Sequence, residues 1–331
     1  MTRVKALAAG WGIPLAMLVV LVGAIEAMRP GLFAIDSLGL KVAAAMTLIL
    51  VAAGETIVVL RGGIDLSVGG TLSLATAIAA TRVDAGGLAL LPWVVGILAI
   101  GTLIGVVNGI LISVLRLQPF LITLATWSVI EGIALIVQPS EGGKVPGVWF
   151  AWGYSTIAGA PIAVVLLAVL CLWWAWFRRT RLFNAIRSAG SNERSAYLNR
   201  VSLGWTNVAA YGLSGFFAAL AGFFYATQTG AGSPTVGAQY VLPAIAAVVI
   251  GGTSLAGGRG GLAGTIVGAF ILNLIGDAVF LLGLSSYWQF VAQGGILVFI
   301  VSVTAFGAAA SEGDRGGGSS PARRCSPMPA C

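Results

Sequence analysis

Residues 61–69, RGGIDLSVG, set a guanidinium, a carboxylate and a hydroxyl among three glycines, between two long apolar runs. Two other stretches have the look of chemistry. GLSG at 212–215 matches the nucleophile pattern of an intramembrane serine protease, and GGTSLAGGRGG at 251–261 has the glycine content of a phosphate-binding loop. A serine nucleophile needs an adjacent base such as histidine, and the chain has no histidine. A phosphate loop needs GxxxxGK[ST]; residues 251–261 lack the lysine and the hydroxyl after it and read as close packing and a tight turn. Three cysteines, two of them Cys325 and Cys331 near the end, give no metal-ligand spacing. No catalytic site, cofactor or metal is expected. The 61–69 stretch reads first as a turn: Gly62 and Gly63 permit positive φ, Asp65 and Ser67 accept from the free amides of a following helix, and Gly69 keeps that helix small. A gate is the rival reading.

What must position these residues is set by composition. The 331 residues are 58% hydrophobic and 9% charged, against about 25% charged in soluble domains. Such a chain takes lipid as its solvent. A helix needs about 20 apolar residues to cross, which predicts ten spans at 10–28, 40–60, 66–81, 88–114, 119–138, 158–177, 204–228, 240–257, 260–282 and 287–307. The third and eighth are short, and the count is eight or nine if they do not cross. The basic start, apolar run and small residues of the first 27 positions imitate a signal peptide, but the many later spans favour a retained first helix.

The basic residues orient the spans. Arg3, Lys5, Arg61, Arg116, six arginines between Arg178 and Arg200, Arg259, Arg323 and Arg324 fall on one side. Arg29, Lys41, Arg82 and Lys144 fall on the other, offset by Glu26, Asp36, Asp84 and Glu141. The positive-inside rule makes the first side cytoplasmic, with both termini there, so the net charge of +7 reports topology and not nucleic-acid binding. Trp174 and Trp176 sit where an interfacial aromatic belt falls. GTLIGVVNGIL (101–111) resembles GTIVGAFILNL (264–274), which suggests an inverted five-plus-five repeat or merely similar helix packing.

Polar groups inside spans are expensive. Asn108, Thr123, Thr126, Glu131, Gln289 and Gln293 are candidates to line a pathway for a hydroxyl-rich solute; interhelical stapling is the alternative. Glu55 and Asp277 read as staples near helix ends. The one substantial charged loop, about 178–203, contains SNERSAYLNR, in which Ser191 or Asn192 caps a short helix running to about Arg200. Either it fixes topology or it docks a partner. The Gly/Ser/Pro-rich tail, 308–331, reads as disordered and cytoplasmic.

GGIDLSVGGTLSL (62–74), RLFNAIRSAGSNERSAYLNRV (181–201) and AAVVIGGTSLAGGRGGLAGTIVGA (246–269) together resemble the permeases of ribose-type bacterial ABC sugar importers. The likeness runs from about residue 30 to 305, and the third motif is shared with branched-chain amino-acid permeases. It implies an all-α polytopic permease domain over 1–307 in the bacterial inner membrane, passing a monosaccharide or similar polyol. It also implies a second permease copy or paralogue, an extracytoplasmic sugar-binding protein and a separate ABC ATPase. The ATPase would dock on a coupling helix at 190–200, with Gly190, Ser191, Asn192, Glu193, Arg194 and Tyr197 as the coupling residues and Gly190, Asn192 and Glu193 fitting the pattern best. The 61–69 stretch stays first a turn and helix cap, with a gate or a second ATPase contact as the rival reading. This sequence lacks a glycine the family often carries near Asn199, which puts the exit of the coupling helix in question. An ATPase-independent channel, a proton-coupled carrier using Glu55, Glu131 or Asp277, and a branched-chain amino-acid permease are the alternatives.

Overall fold

The computed structural model describes residues 2–295 except 32, 34, 84–89, 158 and 286. In chain order its elements are α1 (Thr2–Met28), α2 (Ile35–Arg61), α3 (Ser67–Thr81), α4 (Leu91–Leu115), α5 (Pro119–Val137), α6 (Gly147–Gly153), the two-residue strands β1 (Thr156–Ile157) and β2 (Ala160–Pro161), α7 (Ile162–Phe177), α8 (Arg181–Ser191), α9 (Glu193–Leu198), α10 (Leu203–Thr229), α11 (Ala238–Ile250) and α12 (Leu262–Leu281). Residues 287–295 are also helical. The C-terminal part of the predicted last span, the tail 308–331, Arg323, Arg324 and the cysteines Cys325 and Cys331 lie outside the described residues.

Every predicted span coincides at least in part with a helix, but five of these helices are long and apolar enough to cross a membrane alone: Ser37–Arg61, Leu91–Leu115, Pro119–Val137, Leu203–Thr229 and Leu262–Leu281. Pro14–Met28, Ser67–Thr81 and Ala238–Ile250 are shorter apolar helices, and α7 with α8 forms a pair bent by 76°. The chain is therefore a helical, multi-pass membrane protein. The small α6 and the β1–β2 pair, between the fifth and sixth predicted spans, were not anticipated.

Helix α2 runs through the middle, with α10, α11, α12, α7 and α8 packed on it, and α3 lies between α5 and α10. Thirteen of the 15 residues of α3 are buried. The exposed apolar side chains concentrate on α4 and α5, including Leu103, Val114, Val129 and Ile136, as lipid solvent permits.

Glycine spacing explains the closest pairing. Gly101, Gly105 and Gly109 form one edge of α4, and a Cβ on any of them would run into the backbone of α10 at Gly215, Tyr211 or Val208. In α12, Gly264 and Gly268 do the same against Gly251 and Ala247. In both stretches that resemble each other, 101–111 and 264–274, the glycines thus face a neighbouring backbone, α10 in one case and the α11 end in the other.

Local signals set the ends of the loop helices. Thr180 caps α8 by accepting from the Phe183 amide at 3.2 Å, and Asn192 caps α9 by accepting from Ser195 at 2.9 Å. Trp176 is exposed as a belt residue would be, but Trp174 is buried. It packs edge-on to Phe183 at 5.6 Å, so it seats α8 against α7.

Candidate functional site

The end of α2, the 62–66 turn, the α8–α9 loop and the glycine loop 251–261 meet at one end of the bundle. Gly190 sits so close to the end of α2 that a Cβ there would run into the Leu60 carbonyl. The Gly258 amide donates to that same carbonyl at 2.9 Å, and Arg187 Nε donates to the Gly258 carbonyl at 2.8 Å. Gly257, at φ +85, faces the Gly190 carbonyl, which a Cβ would meet at 2.7 Å. Arg61 Nη1 pairs with Glu193 Oε1 at 2.9 Å, and Arg61 Nε donates to Thr206 Oγ1 at 3.1 Å. Loop 251–261, read from sequence as packing alone, is therefore also part of the seat of α8–α9. Ser191 bonds back to the Arg187 carbonyl. Arg194 is exposed, and Tyr197 and Leu198 present 70% and 74% of their surface outward.

The turn beside this junction is tightly held. Gly62 has φ +90, and Gly63 lies against the Tyr211 hydroxyl with no room for a Cβ. The Asp65 amide donates to Glu55 Oε1 at 3.2 Å. Asp65 Oδ1 in turn accepts from the Ser67 amide at 3.0 Å and the Ser67 hydroxyl at 2.6 Å. Burial pushes the Asp65 carboxyl above its ordinary range, and the Ser67 hydrogen bonds oppose that shift. From Ser67 the chain of bonds continues: Asn108 Nδ2 donates to Ser67 Oγ at 2.8 Å, and Thr126 Oγ1 donates to Asn108 Oδ1 at 2.6 Å. Gly69 packs on Gly237 and Val241 of α11. Four buried oxygens around the turn, Glu55 Oε2, Asp65 Oδ2, Tyr211 OH and Ser214 Oγ, have no hydrogen-bond partner among the described residues.

Glu55 differs from its reading as a helix-end staple. It is fully buried, nearly two turns inside α2, and braces the turn. A carboxylate in an apolar span was the signal for it; Thr206 and Tyr211, which complete the site, gave none. Asp277 does staple, pairing with Lys41 at 2.7 Å.

Of the pathway candidates, the structure joins Asn108, Thr126 and Thr123 to the turn. Thr123 is buried; its hydroxyl bonds back to the Pro119 carbonyl of its own helix at 3.1 Å and reaches the Ile64 carbonyl of the turn at 3.4 Å. Glu131 is half-buried without an ion pair among the described residues. Gln289 packs on Gly276 of α12, and neither it nor Gln293 bonds to α5 among the described residues. An open cavity of about 660 Å³ adjoins the junction, lined by Arg61, Arg116, Glu193, Asn207 and Tyr211 among others.

Comparison with known proteins adds the following. Residues 40–301 match the family described as branched-chain amino acid transport system / permease component. The ribose import permease protein RbsC of Escherichia coli K12 is 34% identical over 293 residues, covering 86% of this chain and 91% of its own. The galactose/methyl galactoside import permease protein MglC of Salmonella typhimurium is 33% identical over 277 residues, 77% of this chain and 82% of its own. The D-allose transport system permease protein AlsC of Escherichia coli K12 is 32% identical over 259 residues, covering 77% and 79%. No solved structure matches the chain.

Proposed function

The chain belongs to the family of branched-chain amino acid transport system permease components, and on that premise we propose that it is the membrane subunit of an ATP-driven importer for a monosaccharide or similar polyol. The sugar class is supported by relatives named as ribose, galactose and allose permeases. The energy source is a separate ATPase docked on the 190–200 loop at the cytoplasmic face. An extracytoplasmic binding protein feeds the opposite face, and a second permease copy completes the pathway.

The observation that carries this reading is the way α9 is mounted. Its first residue, Glu193, pairs with Arg61, and the end of α8 that leads into it is fixed by the Gly190–Leu60 contact and by loop 251–261. Its outer side exposes Tyr197 and Leu198, two large side chains on an otherwise polar loop. A rigidly mounted helix with an exposed aromatic and an exposed leucine suits a docked partner that pushes on it. Gly190, Ser191 and Asn192 shape the mount, Glu193 anchors it, and Arg194 and Tyr197 face the partner. Thr126 offers a hydroxyl to a solute, with Asn108 buried behind it and fixing that hydroxyl; Thr123, Glu131, Gln289 and Gln293 are weaker members of that lining. Weak polar contacts of this kind let a sugar pass and leave.

The test is affinity purification of the tagged protein from its native membranes in mild detergent, with mass spectrometry of what accompanies it. An ABC ATPase should co-purify, and a Tyr197→Ala, Leu198→Asp variant, altered only at exposed positions, should lose it. Purification of the unaltered chain without an ATPase across several detergents would sink the importer reading.

A further inference from the structure

Arg61 bridges the coupling loop and the start of α10 at this junction. Its side chain is only 8% exposed, whereas that of its partner Glu193 is 63% exposed, so the pair has one end in the bundle and one end at the surface. A bidentate guanidinium holds geometry better than a single contact. Here the two bonds go to different elements: Nη1 to Glu193 on α9 and Nε to Thr206 at the start of α10. Arg61 is also the last residue of α2, and the chain leaves it directly into the turn that Glu55 and Tyr211 enclose.

That turn has little freedom to absorb a displacement. Its amide at Asp65 is held by Glu55, its glycine at 63 is against Tyr211, and its Asp65 carboxylate is bonded to Ser67. Past Ser67, the Asn108 amide and the Thr126 hydroxyl follow at 2.8 and 2.6 Å. A movement of α9 thus has a continuous path of short, directional contacts to α4 and α5.

We infer that Arg61 is a positioning residue that passes displacement of the coupling helix to the 62–66 turn and, through Asp65, Ser67 and Asn108, to Thr126. The inference rests on the importer reading above, since it needs an ATPase to move α9. It assigns Arg61 no contact with the solute. A second clamp, on the end of α8 just before α9, packs Gly190 against Leu60, to which Gly258 also bonds; it keeps the loop seated when the ion pair is lost, so seating and transmission are separable.

The experiment uses the chain with its co-purifying ATPase in lipid nanodiscs, nucleotide-free and trapped with ADP–vanadate, read by hydrogen exchange. In the unaltered complex, trapping should change exchange at 190–200, at 62–69 and at the α4–α5 corner, 116–122. In Arg61→Ala and in Glu193→Gln, the 190–200 response should persist while the responses at 62–69 and 116–122 shrink by about threefold or more. Glu193→Gln alters an exposed side chain and keeps the test valid if Arg61→Ala does not fold. The trapped-minus-free difference is the readout, because a merely structural role would shift both states together. Responses at 62–69 that match the unaltered complex in both variants would overturn the inference, as would an unaltered complex whose loop responds and whose turn does not. A 190–200 segment that ignores nucleotide in the unaltered complex would instead defeat the importer reading, and this inference with it.

Discussion

Arg200 shows how much one backbone angle can say. Helix α9 ends with the Arg200 amide bonded to the Tyr197 carbonyl and the Val201 amide to the Ala196 carbonyl, at 2.9 and 3.0 Å. That is the double closure of a Schellman turn, whose left-handed position glycine prefers, and Arg200 occupies it with φ 60. Without the family glycine near Asn199, this chain closes the helix with an arginine in a costly conformation. A non-glycine residue in the left-handed region costs about 1–2 kcal/mol, partly offset by the greater freedom of an unfolded glycine. Arg200→Gly should stabilise the protein by about 0.5–1 kcal/mol, seen as a higher unfolding temperature in detergent. An unchanged or lower temperature would mean that Arg200 has a compensating contact.

Among elements, the α4–α10 interface is the most exacting. A Cβ on Gly105 would collide with the Tyr211 carbonyl, and Tyr211 is the residue whose hydroxyl abuts the 62–66 turn. Gly105→Leu should separate the two helices and lower folded yield in detergent by at least severalfold, with Gly96→Leu as the control, since a Cβ at Gly96 meets nothing. Monodisperse gel filtration of both variants would refute this. The long apolar helices were legible because apolar length is written directly in the sequence, and the cap at Asn192 because its side chain is local. The meeting of residues 60–65, 187–193 and 257–258 was not legible. Glycine contacts carry no mark of their partner, and the Arg61–Glu193 pair joins positions far apart in the chain. The Gln289–Gly276 contact was not legible for a related reason: a glutamine in an apolar run signals some polar or close contact without naming the partner.

At the scale of the whole molecule, the arginine distribution and the structure make one geometric claim. Residues 156–161, where β1 and β2 pair, fall between the fifth and sixth predicted spans, on the side opposite α9. In a background lacking Cys171, Cys325 and Cys331, a cysteine at Ile157, which is 50% exposed, should react with an impermeant maleimide in intact cells. One at Leu198 should react only after the membrane is permeabilised. The reverse pattern would invert the topology.

Helix α3 also constrains how the chain is made. Its 15 residues rise about 22 Å, short of the roughly 30 Å of hydrocarbon, and they include Ser67, Thr71, Ser73 and Thr76, all buried. Much of what buries them, α5 and α10, is synthesised later. On leaving the ribosome, α3 has no lipid-stable resting place of its own. It must wait in the insertion machinery or lean on α2 until its neighbours arrive, so the segment that follows the 62–66 turn is among the last to be sealed during biogenesis.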